Sequence, residues 1–243
     1  MPRPPEECAM TPRACPSCHG TGYVVQEMKG RLVAASCSCR NADRISRLVG
    51  RAGIPQRYRN ACVFETFRPR NASQEKALLL ARKYAEDFPA FPRDRPSGLL
   101  FMGPCGVGKT HLAVSILQEL LLRKGIPVLF ADLNELYREI WASYGRREPG
   151  ETEYDILAPL VEAPLLLIDE LGCRDSVWAQ DTLLYLVSQR HSELRPTLCT
   201  TNYLDAPAAG EASLESRIGV RARSRLLEMC LTVPMDGPDH RKR

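Results

Sequence analysis

Eight consecutive residues, Gly103-Pro104-Cys105-Gly106-Val107-Gly108-Lys109-Thr110, match the pattern G-x-x-x-x-G-K-[ST], and their types suit a grip on a polyphosphate. Glycines let the backbone curl so that successive N–H groups face phosphate oxygens. The ammonium of Lys109 reaches the β- and γ-oxygens, and the hydroxyl of Thr110 offers a ligand to Mg²⁺. Further along, the apolar run Leu165-Leu166-Leu167-Ile168 ends in Asp169-Glu170. Carboxylates at the carboxyl end of a buried strand suit two tasks: Asp169 holding Mg²⁺ directly or through water, and Glu170 accepting a proton from the water that attacks a γ-phosphate. The next apolar run ends in Thr200-Thr201-Asn202. Asn202 is a candidate for orienting that water; the alternative is that it caps the turn before Tyr203. The cofactors expected here are ATP and Mg²⁺. Cys105, inside the loop, reads either as an oxidisable thiol or as a small filler.

A second constellation lies near the start. Cys15 and Cys18, in Cys15-Pro16-Ser17-Cys18-His19-Gly20, are followed after an expected hairpin through Gly30 by Cys37-Ser38-Cys39. Two close cysteine pairs in a segment too small to bury its own core predict a four-thiolate Zn²⁺ site of structural type. The one-residue spacer of the second pair leaves His19 open as a substitute for one thiolate. The remaining cysteines are scattered singly, as reduced thiols are in a cytosolic protein.

A third group is basic. Arg217, Arg221 and Arg225 recur every four positions in an expected helix over 214–229 and would share one face. Such a stripe reads as a solvated face, as an arginine finger against a neighbouring subunit's γ-phosphate, or as a contact to DNA phosphates.

These residues need a scaffold, and the chain predicts one. From Gly98, short apolar runs (99–102, 128–130, 165–168, 197–200, 231–233) alternate with amphipathic stretches (110–123, 134–144, 154–161, 177–192, 214–229). Strands alternating with helices imply right-handed crossovers and a mainly parallel five-stranded sheet covered on both faces. The expected organisation is a zinc-binding module over 1–43, a basic linker over 44–75 containing the turn Gly53-Ile54-Pro55, and an α/β nucleotide-binding domain over 76–243, which opens on a helix over 73–88. Base-contacting residues carry no motif; Val63 to Phe67 is the stretch in the right place.

Composition narrows the classes. The chain has 243 residues, 44% hydrophobic and 26% charged, and its longest apolar runs fall far short of a membrane span. The first residues, rich in Pro and Arg, have no apolar core of a secretory signal, so a cytoplasmic location without membrane partners is expected. The formal net charge is +4. It is uneven: residues 1–75 carry 12 Lys/Arg against 6 Asp/Glu, the remainder 21 against 23. The basic part suits nucleic acid or an acidic protein surface.

Taken together, Gly53 to Tyr58, the loop Gly103 to Thr110, Leu167 to Gly172, Thr200-Thr201-Asn202, Arg217 to Leu226 and the tail Gly237-Pro238-Asp239-His240-Arg241 resemble the AAA+ helicase loaders of the DnaC/DnaI type and their relatives, the IstB-type transposition ATPases. The resemblance implies a P-loop AAA+ core with little or no lid, since only 41 residues follow Asn202. It implies that Asn202 senses the γ-phosphate, that Arg225 (or Arg221) is an arginine finger acting in trans within an oligomer or filament, and that Arg241 is a second sensor. It also implies slow, partner-stimulated ATP hydrolysis, a replicative DNA helicase gripped by the cysteine module and the basic stretch Arg40 to Arg59, and single-stranded DNA engaged through 134–161. The alternatives are a transposition helper acting on duplex DNA and a nucleotide-gated adaptor that does not hydrolyse ATP.

Overall fold

The computed structural model describes residues 15–28, 31–91, 96–144 and 151–240. The chain divides into two compact units, Met1–Gly50 and Arg51–Arg243. In the first, strands β1 (Tyr23–Met28) and β2 (Arg31–Ser36) pair antiparallel, with Tyr23 opposite Ser36, and helix α1 (Ser38–Arg51) follows. The four cysteines form this unit's small buried centre, with Val24 packed against them.

The second unit starts with the short helix α2 (Gln56–Arg59) and with α3 (Ala72–Asp87), whose first turn is capped by the Asn71 side chain accepting from the Gln74 N–H. There follow β3 (Gly98–Met102), α4 (Lys109–Lys124), β4 (Leu129–Asp132), α5 (Leu133–Tyr144), α6 (Glu153–Glu162), β5 (Leu166–Leu171), α7 (Val177–Ser192), β6 (Thr197–Thr201), α8 (Leu214–Ile218), α9 (Val220–Met229) and β7 (Cys230–Pro234). The sheet order is β4-β5-β6-β3-β7, every pair parallel. All five residues of β3 and of β6 are buried, the continuous apolar signature of strands covered on both faces. Leu166, Ile168, Leu186, Val187 and Leu226 belong to one core cluster beneath the helices.

Two features depart from the expected elements. The strand expected to stop at 168 runs on to Leu171 through an irregularity between Ile168 and Leu171, which carries both carboxylates inside the strand. The helix expected over 214–229 is broken at Gly219, whose φ of 83° and ψ of 148° end α8 and start α9. Arg217 therefore sits on a different helix from Arg221 and Arg225, and the three share no single face. A glycine amid a helical pattern is the sequence signal of such a break.

Candidate functional site

The loop between β3 and α4 is shaped by its glycines and by what presses on it. A Cβ at Gly103 would stand 1.8 Å from the carbonyl oxygen of Met235, and Gly108, the N-cap of α4, holds φ 99° with the Phe67 ring packed against it. The loop thus opens directly into the helix N-terminus, where unpaired N–H groups face outward. Lys109, 6% exposed, donates from Nζ to the carbonyls of Gly103 (2.8 Å) and Pro104 (2.6 Å) and to Oδ1 of Asn202 (2.8 Å). Asn202 therefore reaches the loop across the sheet. The turn after it is capped by Thr201, whose Oγ1 accepts from the Tyr203 N–H, so the turn-capping alternative falls to the neighbouring residue.

Strand β6, lying between β3 and β5, brings the remaining polar groups to one strand-end platform. Asp169, 2% exposed, accepts from Thr110 Oγ1 at 2.9 Å and from Thr200 Oγ1 at 2.6 Å. Burial pushes its carboxyl up to about 6, against the pull of those two hydroxyls. Thr110 and Asp169 are thus adjacent, oxygen-bearing and short of positive charge, a donor set that suits Mg²⁺. Glu170 is exposed and holds the left-handed φ of 64°. Its N–H donates to Thr200 Oγ1 at 3.0 Å, and its Oε2 accepts from Asn134 Nδ2 at 2.9 Å. Asn134 carries no motif and escapes sequence reasoning. It stands at the start of α5, held there by its N–H donating to Asp132 Oδ1, and meets Glu170 because β4 and β5 are neighbours.

A cleft of about 630 Å³, a size suited to a small ligand, is lined by Lys109, Thr110, Glu170, Thr200 and Asn202. Its wall opposite the loop comes from Tyr58, Ala61, Cys62, Thr66 and Phe67. Gln118 on α4 fastens this wall by donating to the carbonyls of Cys62 (2.7 Å) and Tyr58 (3.2 Å). His111 donates from Nε2 to the Val63 carbonyl at 3.0 Å, and burial holds its pKa below the ordinary value. The stretch Val63 to Phe67 is thus beside the cleft, and His111, directly after Thr110, is an anchor that the motif does not name. Cys105 is exposed and lines the cleft. Burial pushes the Cys62 thiol up to about 11.

The chain's last described residues close one side. The Met235 N–H donates to Met102 O (2.8 Å), the Asp236 carbonyl accepts from Asn71 Nδ2 and Gln74 Nε2, and the His240 N–H donates to Gly106 O at 3.1 Å. Arg241 lies outside the described residues.

The C-terminal arginines have separate duties. Arg217 donates to Gly172 O at 2.8 Å, pairs with Asp175 at 2.6 Å and stacks over the Tyr203 ring. Arg223, 3% exposed, pairs with Asp205 through Nε at 2.6 Å. Arg221 is exposed and Arg225 half-buried, both on α9. Neither lines the cleft of its own chain.

In the first unit, the sulfur atoms of Cys15, Cys18, Cys37 and Cys39 lie within 4.8 Å of one another, with Cys15 to Cys37 at 3.7 Å and Cys18 to Cys39 at 3.4 Å. Thiolates about 2.3 Å from a tetrahedral zinc stand at such separations, so the four could hold Zn²⁺. His19 is exposed and outside the group, which leaves four sulfurs as the ligand set. Burial acts to raise the Cys18 thiol, but the Gly22 N–H and the neighbouring thiols of Cys39 and Cys15 outweigh it and bring it down to about 6. Cys39 is pushed up to about 12, first by its hydrogen bond to Cys18 and then by burial. The two thiols thus shift in opposite directions, and a bound cation would favour the thiolate form of both.

Parallel strands in this order, with a G-x-x-x-x-G-K-T loop on β3, an Asp-Glu pair on β5 and a polar strand end between them, define a P-loop AAA+ fold. The family model described as IstB-like ATP binding protein matches residues 25–243. The chain belongs to that family. It is 33% identical over 179 residues, 73% of this chain and 70% of the other, to the replicative helicase loader DnaC of Escherichia coli (strain K12). It is 30% identical over 151 residues, 62% of this chain and 57% of the other, to the insertion sequence IS5376 putative ATP-binding protein of Geobacillus stearothermophilus. The crystal structure of the DnaC helicase loader covers 75% of this chain and 100% of its own, with a TM-score of 0.62 at 32% identity. No helix among the described residues is long and apolar enough to cross a membrane.

Proposed function

We propose that this protein is an ATP-dependent loader or remodeller of a replicative DNA helicase. The observation that carries the reading is the 33% identity to a replicative helicase loader across 73% of the chain. In this reading the cleft takes Mg-ATP. The backbone of Gly103 to Gly108 cradles the phosphates, Lys109 exchanges its carbonyl partners for β/γ-oxygens, and Thr110 and Asp169 hold the metal, which screens phosphate charge. Glu170 takes the proton of the attacking water, and Asn202, released by Lys109, turns its amide to the γ-phosphate. Arg225, which does not line its own cleft, serves that of a neighbouring copy in an oligomer or filament, and Arg241 is the second sensor of this reading. Trp141 and Tyr144, exposed on α5 beside Trp178 with ring centroids 5.8 and 6.4 Å from it, supply a platform on which bases of single-stranded DNA stack. Zn²⁺ on Cys15, Cys18, Cys37 and Cys39 holds the first unit in shape for contact with the helicase in the cytoplasm.

The test is co-elution of the full chain with the purified replicative helicase of the same source, with and without ATP. A nucleotide-dependent complex that transfers the helicase onto single-stranded DNA is the expected result. A transposase partner in place of the helicase would instead support a transposition helper on duplex DNA, the reading favoured by the 30% identity to an insertion-sequence protein.

A further inference from the structure

Helix α1 carries Arg40, Arg44, Arg47 and Arg51, separated by four, three and four residues, which puts all four within about 60° of one another around the helix. Each is exposed, whereas Ile45 and Val49, on the opposite face, are half-buried. Successive arginines stand about 5–6 Å apart along one line. The start of that line is fixed. Cys39 lies in the first turn of α1 and the Arg40 N–H donates to Cys37 O at 3.1 Å, so the cysteine group sets the helix's origin. The stem of Arg40 packs on Gly22, and its guanidinium stands 4.6 Å over the ring of Tyr23, itself 51% exposed.

We propose that this arginine line, together with Tyr23, is a second nucleic-acid-binding surface, which takes the sugar–phosphate backbone of a single strand and works without nucleotide in the P-loop. A row of four like charges about one helical turn apart calls for a ligand that repeats its opposite charge at a similar interval. A phosphate backbone does so; a protein surface, with irregular acidic groups, does not. Planar guanidinium forks suit phosphate oxygens, and an exposed aromatic ring beside an arginine suits an unpaired base. The narrow aliphatic face of α1 has no aromatic residue to seat it in a membrane interface. The inference assigns to nucleic acid part of the basic stretch that the resemblance gives to the helicase, and adds a site apart from the α5 platform.

The experiment titrates the full chain, free of nucleotide, with a fluorescein-labelled thirty-residue oligothymidine over a range of salt, reading anisotropy. The variant Arg44→Gln/Arg47→Gln/Arg51→Gln is compared with Lys76→Gln/Lys83→Gln/Arg123→Gln, which loses the same charge from exposed positions on α3 and α4. For the α1 variant, the slope of log affinity against log salt is expected to shrink by about 2, at roughly 0.7 per lost phosphate contact on a single strand. The control variant is expected to keep the slope. Tyr23→Leu is expected to weaken binding with the slope unchanged, since stacking releases no counterions. A circular-dichroism spectrum and melting temperature equal to those of the unmodified protein confirm that each variant is folded. An unchanged slope in the α1 variant, or an equal loss in the control, overturns the proposal. So does loss of helicase co-elution with DNA binding intact, which would assign the face to a protein. Loss of all DNA binding in Trp141→Ala alone would restrict nucleic acid to α5 and also overturn it.

Discussion

The ammonium of Lys109 and the side-chain oxygen of Asn202, 93 residues apart in sequence, are joined by a 2.8 Å hydrogen bond. The bond links the P-loop to the end of β6 and fills a donor of Lys109 that the proposed γ-phosphate would claim. The two residues should consequently fail differently. Lys109→Met is expected to weaken ATP binding by about a hundredfold, the loss of a charge-assisted contact of about 3 kcal/mol. Asn202→Ala leaves the cradle whole and is expected to lower kcat by about a hundredfold, the lower end of the range for a lost transition-state donor, with Kd nearly unchanged. Fluorescent-nucleotide titration and steady-state turnover separate the two.

Glu170 and Asn134 form the second linked pair. Glu170 holds a left-handed φ of 64°, and the Asn134 amide donates to its carboxylate at 2.9 Å. Glu170→Gln keeps the shape and removes the base, so ATP binding is expected to persist while turnover falls below about 1%. Asn134→Ala removes the amide that holds that carboxylate and is expected to lower turnover about tenfold with ATP affinity nearly unchanged, read by steady-state kinetics and nucleotide titration. Turnover retained in Glu170→Gln would remove Glu170 as the base and leave a nucleotide-gated adaptor as the better reading.

What sequence could and could not reveal follows from the range of the interactions. The P-loop, the Asp169-Glu170 pair and Thr200-Thr201-Asn202 are contiguous, and each ends an apolar run, so type and spacing alone expose them. Asn134 becomes relevant only because β4 lies beside β5, and Asn202 meets Lys109 only because β6 inserts between β3 and β5. Strand order is set by tertiary packing and leaves no local trace. The arginine series shows a different failure. Gly219 was visible in the sequence, yet the four-residue spacing presumed an unbroken helix, and the partners that retain Arg217 and Arg223, Asp175 and Asp205, are 42 and 18 residues away.

Asp169 carries a cost to the fold. Its carboxyl, raised from 3.8 to about 6 by burial, binds a proton more tightly in the folded chain than in the unfolded one. Stability from this group is therefore fully present below pH 4 and lost as pH rises through 6. By pH 7.5 the loss amounts to at most about 3 kcal/mol. Asp169→Asn, which still accepts from Thr110 and Thr200, is expected to raise the nucleotide-free Tm at pH 7.5 by several degrees, about 2–4 °C per kcal/mol. The difference from the unmodified protein should shrink toward zero near pH 4. The same substitution is expected to weaken Mg²⁺-dependent ATP binding, so calorimetry at two pH values and a nucleotide titration must move in opposite directions.

Metal should govern only the first unit. With its four sulfurs within 4.8 Å and little else buried among its described residues, that unit is expected to need a cation to hold β1, β2 and the start of α1 together. Chelation, or Cys37→Ser with Cys39→Ser, is expected to release about one zinc per chain and to lose the associated chemical-shift dispersion. Nucleotide affinity should stay within about twofold, since the cleft's lining comes from residues 57 to 240. A full complement of folded signals without metal would refute the site.

Arg190 tests the opposite end of the sheet. Fully buried, it donates to the carbonyls of Leu160 (2.7 Å), Val161 (3.0 Å), Ala163 (2.9 Å) and Pro196 (2.5 Å) and to Thr197 Oγ1 (2.9 Å), all neutral acceptors. Desolvation, helped by the charge of Arg195, brings its pKa down to about 10, so it remains a cation at neutral pH. One guanidinium thereby ties the end of α6, the entry to β5 and the start of β6 to α7. Arg190→Met keeps much of the volume but strands those carbonyls, which is expected to cost about 3–5 kcal/mol. Arg190→Lys, with fewer donors in a different geometry, should recover only part of that. Because these contacts lie at the strand ends away from the P-loop, ATP affinity measured well below the lowered Tm is expected to stay within about twofold. A variant that melts normally, or one that loses affinity while still folded, would contradict this assignment.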